Sequence, residues 1–260
     1  MIKKIPFYIC ITSCVILFNV QVFSQNFGFG CLGFVGGYGG ITYQKYNAEG
    51  LNNFVNLFNE MNSSTLNQPL EEFYGAVGYR VGINFFRATF ESGIIISAKG
   101  YYQSLSRTRK ASETFADATT NYRYELDLKN WAIGFDVGYA FTNYISWKIV
   151  DGTVNFNNVS LTETVNLSGG VSEVSKYKSE SGVFGYTLGT GIIVSIFKDY
   201  VSLEGLVGYT KLQIEDLKTD EGEFFLKPPP NALIQIVDPG NFIDSGGFTA
   251  ELQLNIGFPL

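Results

Sequence analysis

The sequence predicts an all-β chain: an eight-stranded antiparallel up-and-down transmembrane β-barrel with four long outer loops and three short periplasmic turns. Three observations predict it. Eight segments alternate bulky apolar residues with small or polar ones at period 2. Ionisable residues fall on the face opposite the bulky one. The connections between segments alternate strictly between short and long. Composition agrees. Of 260 residues, 16% are aromatic and 16% charged, and mean hydropathy is +0.08. Soluble domains carry about 25% charge, while a bundle of membrane helices would be far more hydropathic. Strands with one apolar face satisfy both figures.

Ahead of the strands stands a targeting segment. Lys3 and Lys4 precede an apolar stretch from Ile5 to Phe18, and Val22-Phe23-Ser24 supplies a cleavage site. Residues 1–24 are therefore expected to be a signal peptide, and residues 25–260 the barrel domain. A retained anchor helix needs about 20 clean apolar residues, and Thr12, Ser13 and Asn19 interrupt this run. A lipobox at Ile11-Thr12-Ser13-Cys14 is disfavoured because the apolar run continues past Cys14. After cleavage Cys31 is the one cysteine left, so no intramolecular disulfide forms.

The first segment, about Cys31 to Tyr46, is too Gly-rich for its phase to be read. The second, Phe73 to Phe85, sets Val77, Tyr79, Val81 and Ile83 against Gly78, Arg80, Gly82 and Asn84. The third, Thr89 to Tyr102, sets Phe90, Ile94 and Ile96 against Glu91, Ser97 and Lys99. The fourth runs from Trp131 to Phe141, with Asp136 on its small-residue face. The fifth opens with Ile145, Trp147 and Ile149 and loses phase near Asp151-Gly152, which predicts a β-bulge. The sixth (Gly182 to Phe197), seventh (Val201 to Tyr209) and eighth (Phe248 to Phe258) alternate again. Each reaches or approaches the ~9–11 residues that a spanning strand needs.

Two features separate this pattern from a soluble sandwich. The opposite face carries Arg80, Glu91, Lys99, Asp136, Lys148, Glu204 and Glu251. Burying so many ionisable groups in an apolar core is prohibitive, whereas a polar lumen lets them pair. The second feature is loop length. Phe86-Arg87-Ala88, Thr142-Asn143-Tyr144 and Lys198-Asp199-Tyr200 are tight turns. The stretches near residues 47–72, 106–121, 163–181 and 215–246 are long and polar. An up-and-down barrel with both termini on one side requires that order. Tyr79, Tyr102, Trp131, Tyr139, Tyr144, Trp147, Tyr200 and Tyr209 fall near segment ends, as two aromatic belts would.

The targeting segment, the eight segments and the closing Gly257-Phe258-Pro259-Leu260 resemble the small outer-membrane barrels of the OmpA/OmpX type. More narrowly, Phe23-Ser24-Gln25, the Tyr/Asn/Gly-rich strands and the Phe-Pro-Leu ending resemble the PorT-like outer-membrane β-barrel proteins of Bacteroidota. The resemblance covers nearly the whole mature chain. It implies location in a bacterial outer membrane and contact with outer-membrane lipid and lipopolysaccharide.

Candidate functional features lie mostly in the outer connections. Leu51, Phe54, Val55, Leu57, Phe58 and Met61 have helical spacing and predict a short amphipathic helix that caps the lumen, docks a partner or packs on neighbouring loops. Arg107, Arg109 and Lys110 form a basic knot near the outer rim, suited to phosphates or to solvent. In the last loop, Phe224, Phe225 and Leu226 precede Pro228, Pro229 and Pro230, then Leu233 and Ile234. The prolines impose an extended piece, and the apolar residues make this the candidate partner-binding loop.

Enzyme chemistry finds no support. With no histidine, the Ser-His-Asp arrangement and the usual zinc sites are out of reach. Gly36-Gly37 and Gly39-Gly40 lack the residues of a phosphate loop. No cofactor is expected. Net charge of -6 argues against nucleic acid. The expectation is a non-enzymatic barrel acting as anchor, scaffold or binding module through its outer loops, within an envelope complex. The alternative is a narrow, porin-like channel or transporter for small solutes.

Overall fold

The structure is a computed structural model describing residues 36–197, 200–226 and 240–257. The predicted signal segment, Cys31, the three prolines with Leu233 and Ile234, the end Phe258-Pro259-Leu260, and most of the expected turn at 198–200 lie outside these residues. In chain order the elements are β1 (Gly36–Lys45), α1 (Glu49–Met61), β2 (Leu66–Gln68), β3 (Gly75–Thr89), β4 (Ile94–Phe115), β5 (Ala118–Ala140), β6 (Ile145–Leu167), β7 (Ser172–Lys178), β8 (Val183–Phe197), β9 (Val201–Lys211) and β10 (Phe248–Gly257).

Eight of the strands close on themselves. Each pairs antiparallel with its neighbours in the order β1, β3, β4, β5, β6, β8, β9, β10, and β10 returns to β1 from Gly36↔Gly257 to Gln44↔Thr249. Closure leaves the wall without a free edge. The short strands β2 and β7 are extensions, added to the far ends of β4 and β6.

Side chains are oriented as the alternation requires. Phe184 and Leu188 are 61% and 58% exposed on the outer wall, while Arg80 and Glu251 are 6% and 7% exposed inside. Small residues on the inner face make room for large ones from neighbouring strands. A Cβ at Gly82 would stand 2.4 Å from the ring of Tyr38, which crosses the interior from β1. The expected bulge is present: the β6–β8 register shifts between Lys148 and Asp151. Ile149 and Val150 both face outward, so Lys148 and Asp151 both face in despite their odd spacing.

The polarity of the wall inverts along its length. On β5, Trp131, Ile133, Phe135, Val137 and Tyr139 are exposed, and Ala132 and Asp136 are buried between them. Toward the start of the same strand, exposed Arg123 and Lys129 alternate with buried Tyr124, Leu126 and Leu128. On β6, inward Asn155 and Asn157 give way to inward Val159 and Leu161 at the matching level, where Leu128 pairs with Val159. One half of the barrel is apolar outside and polar inside. The other has a conventional apolar core and a polar surface.

That inversion corrects two readings of the connections. Residues 106–121 are not a loop: β4 continues to Phe115 and β5 begins at Ala118. The turn between them is Ala116-Asp117, both at positive φ (47° and 67°), as tight hairpins demand. Residues 163–181 likewise hold the end of β6 and all of β7. Of the four long outer loops, only the first and the described part of the last are built largely of non-strand segments. The third expected strand is also shifted. The β3–β4 turn lies at residues 90–93 rather than at Phe86-Arg87-Ala88, with Gly93 at φ 85°.

The outer core should dominate the stability of the far half of the barrel. Replacing fully buried Leu126 by Ala should cost about 2–5 kcal/mol, because truncation leaves a cavity. Lys129→Ala, three residues away on the wet face, should stay within about 0.5 kcal/mol. Guanidinium unfolding of both variants in lipid–detergent micelles reads the difference.

Candidate functional site

The lumen of the polar half is filled by one network of charges. Three cations, Arg80, Lys99 and Lys148, face four carboxylates, Asp136, Asp151, Glu204 and Glu251, and all seven are buried. Arg80, on β3, bridges to Glu251 on β10. Its Nε and Nη2 donate to Gln103 Oε1 at 3.0 and 2.7 Å, and its guanidinium lies 4.0 Å above the ring of Tyr101. Lys99 on β4 bridges to Asp151 on β6. Lys148 reaches Asp136 at 3.3 Å and Asp151 at 3.2 Å, and donates to Glu204 on β9. Tyr101 Oη donates to Asn155 Oδ1 at 3.0 Å, and Asn155 Nδ2 donates to Thr187 Oγ1 at 2.9 Å. Every barrel strand except β1 and β8 contributes a charge, and those two are tied in by Thr42 and Thr187.

Six of the seven residues assigned to the lumen from sequence therefore meet. Glu91 does not: it is exposed in the β3–β4 turn, because the chain reverses at 90–93 instead of continuing as strand. Asp151 was missed. The bulge that breaks the phase at 149–150 hides it from a period-2 count, although the loss of phase itself marked the place.

The far half is sealed differently. Helix α1 sits inside the mouth of the barrel, with Leu51 and Val55 fully buried. They pack with Phe73, Leu105, Leu126, Leu161, Leu217, Leu226 and Phe242. Phe54 meets Tyr124, Phe58 and Phe225 at centroid distances of 5.7, 6.3 and 4.8 Å. Polar side chains fasten the returning segment. Asn52 bonds both backbone groups of Phe73, and Asn59 bonds both of Leu70. Of the candidate partner-binding loop, Phe225 and Leu226 belong to this core, while Phe224 is exposed beneath Lys218 at 4.7 Å. The basic knot is dispersed. Arg109 turns inward to Glu71 and to the Glu72 carbonyl, while Lys110 points outward into solvent.

Near the inner end, Asp136, Lys148, Glu204 and Asn255, with Ile95 and Ile193, line a cavity of about 50 Å³, a size for water rather than solutes. The described residues hold no cluster suited to a metal ion, and no helix is long and apolar enough to cross a membrane.

No family model matches the chain, and no curated protein matches it. Among solved structures it is similar to Ail, the attachment invasion locus protein of Yersinia pestis, solved in complex with the heparin analogue sucrose octasulfate. That similarity amounts to 12% identity over 85% of this chain and 99% of that chain, with a TM-score of 0.34. The assignment of eight strands and their closure rests on the pairing registers of this chain itself.

Removing one member of a buried pair is costlier than removing both. Arg80→Met should destabilise the barrel by about 3–5 kcal/mol, and the double variant Arg80→Met/Glu251→Leu should recover most of that loss. A urea double-mutant cycle measures it, and simple additivity of the two changes would disprove the coupling. The outer core has its own signature. Burial, then the Glu163 carboxylate that accepts from Tyr124 Oη at 2.7 Å, hold the Tyr124 phenol far above its usual range. A phenol raised in the folded state adds stability that is complete below about pH 10 and is lost as pH climbs beyond it. Wild type should therefore weaken between about pH 10 and 12, and Tyr124→Phe should flatten that decline.

Proposed function

We propose that the chain is a non-enzymatic outer-membrane β-barrel protein, an anchor that carries a folded platform on its outer side. It is delivered by cleavage of residues 1–24 and serves a partner of the bacterial envelope. The observation that carries this reading is the outer wall of the polar half. Each barrel strand bears an outward aromatic near the point of polarity inversion: Tyr43, Tyr79, Tyr102, Trp131, Phe156, Tyr186, Tyr209 and Phe248. Some neighbours in this ring touch, as Tyr102 and Trp131 do at 5.0 Å, or pair directly, as Trp131 does with Phe156 and Phe248 with Tyr209. At the other end Tyr139, Phe141, Tyr144, Trp147, Phe197 and Tyr200 are exposed. Between the two sets lie only apolar or small outward residues.

On β5, β6, β8 and β9 the strand crosses from one set to the other in about ten residues, the length that spans a bilayer as a tilted strand. Large side chains in that band have no protein neighbour to bury them, and acyl chains are the surroundings in which their exposure costs nothing. Above the ring, Lys45, Lys129 and Lys211 stand one outward position beyond Tyr43, Trp131 and Tyr209. They are suited to the phosphates of lipid or lipopolysaccharide headgroups.

The filled lumen supports anchoring over transport. A solute would have to break the Lys148 cluster and displace α1 from the outer core. The scaffold role, the envelope partner and the kinship with PorT-like proteins follow from this reading and from the resemblance of the strands.

The two tryptophans allow a direct test. Trp131→Phe leaves Trp147 as the sole reporter, and Trp147→Phe leaves Trp131. In vesicles, lipids brominated near the headgroup should quench each single tryptophan more strongly than lipids brominated at the chain ends. Equal, weak quenching of both would remove the membrane assignment. In planar bilayers the purified barrel should show no steady conductance, and reproducible single-channel steps would replace the anchor with a pore.

A further inference from the structure

Among the described residues, one edge of the outer sheet is unpaired along most of its length. Strand β7 pairs with β6 from Ser160↔Lys178 to Asn166↔Ser172. On its other side the one backbone partner among the described residues is Lys218, whose N–H donates to the Lys178 carbonyl at 2.9 Å and whose carbonyl accepts from the Lys178 N–H at 2.8 Å. Both backbone groups of Lys178 thus point away from β6. In an antiparallel strand this direction recurs at every second residue. The N–H and C=O groups of Lys176, Val174 and Ser172 therefore point to the same open side, and no strand pairs with them there among the described residues. All three residues are exposed.

The chain itself starts to occupy this edge and then leaves it. Continued in antiparallel register past Lys178↔Lys218, the segment would bring Asp220 opposite Lys176. Instead it turns back, with Gly222 at φ 90° donating to Thr219 at 3.1 Å and Lys218 bridging to Phe224. Asp220 binds Lys178 at 2.7 and 3.0 Å. Lys176 forms no salt bridge among the described residues and feels the Asp220 carboxylate only at longer range. Beyond Lys178 the edge runs into a cleft of about 230 Å³ lined by Glu180, Gln213, Lys218 and Phe224.

We propose that β7 is the docking edge for an extended segment of a partner protein, added as a further strand. The segment carries an acidic residue beside Lys176 and, two residues away on the same face, an apolar one beside Val174. Main-chain bonds to Ser172, Val174 and Lys176 supply the affinity, as in other strand-addition complexes. The lysine supplies the selection. Strand β7 is short and charged, a common defence against uncontrolled pairing, so the edge admits a matching strand rather than any strand. This names the partner chemistry of the outer platform and rests on that reading. Its test reads binding rather than membrane depth, so the two fail separately.

The probe is a short fluorescent peptide of alternating valine and threonine with a central glutamate, alongside its lysine counterpart. Anisotropy is measured with the full chain held in lipid nanodiscs. The glutamate peptide should bind saturably and the lysine peptide about threefold more weakly, as an exposed ion pair implies. Val174→Pro removes a donor that faces away from β6, so the ladder survives, as proline does on edge strands. It should weaken the glutamate peptide about tenfold while the heat-dependent gel mobility of the barrel stays unchanged. Lys176→Glu, which alters no backbone, should reverse the preference between the two peptides. Absence of saturable binding, equal binding to a folded Val174→Pro barrel, or an unchanged preference in Lys176→Glu would each overturn the proposal.

Discussion

The fold depends on one constraint: a strand with apolar surroundings must pair every N–H and C=O it carries. An unpaired backbone group in hydrocarbon costs several kcal/mol, more than any single side chain in the wall returns. The return of β10 onto β1 meets that demand along nine residue pairs. Once the wall is closed, the two faces of each strand have different neighbours by construction. The inner face meets seven other strands across a space narrow enough for side chains to fill. Glycine therefore recurs there, beside the few large residues that span the gap.

A closed wall also explains how one strand can have two opposite polarities. Backbone pairing runs without interruption from Phe115↔Ala118 to Ile94↔Tyr139, so the ladder is indifferent to what surrounds it. Side chains are not. Where the outside is apolar, the interior takes the polar residues and they satisfy one another. Where the outside is wet, the interior takes Leu126, Leu161 and Tyr124 and excludes water. The crossover falls within two residues, between Lys129 and Trp131 on β5 and between Phe156 and Asn158 on β6. Trp131 and Phe156 are paired, so the boundary is a level on the barrel and not a property of one strand.

That boundary also marks how far the sequence could be read. Period 2 with a bulky face was legible for the lower half, and the orientation of Phe184, Leu252, Arg80 and Glu251 followed from it. The upper half also alternates, but with the sign reversed. Ser104, Ser106 and Thr108 on the face that held Ile94, Ile96 and Tyr102 read as the end of a strand rather than its continuation. Helical spacing made α1 legible from Leu51 to Met61, since an amphipathic face keeps its pattern whatever covers it. That the barrel's own mouth covers it depends on Leu161 and Phe242, more than a hundred residues away. Glu91 was misplaced because a four-residue turn shifts the count, and Asp151 was hidden because a bulge does the same.

The two seals close the tube by different physics, and the difference bears on role. The outer seal is apolar and non-directional, so one side chain can be exchanged for another of like volume with modest loss. The inner seal is directional: Lys148 sits among three carboxylates from three strands, and removing any member leaves the rest uncompensated. A conduit needs at least one seal that opens at low cost. Opening the outer one exposes a whole core to water, and opening the inner one separates charges where water is scarce. Both seals instead hold the strands in fixed register. Rigidity of that kind suits the proposed role, in which the wall presents β6 and β7 at a constant height and angle above the aromatic ring. The variable chemistry then lies at the edge of the sheet, and the barrel beneath it supplies position.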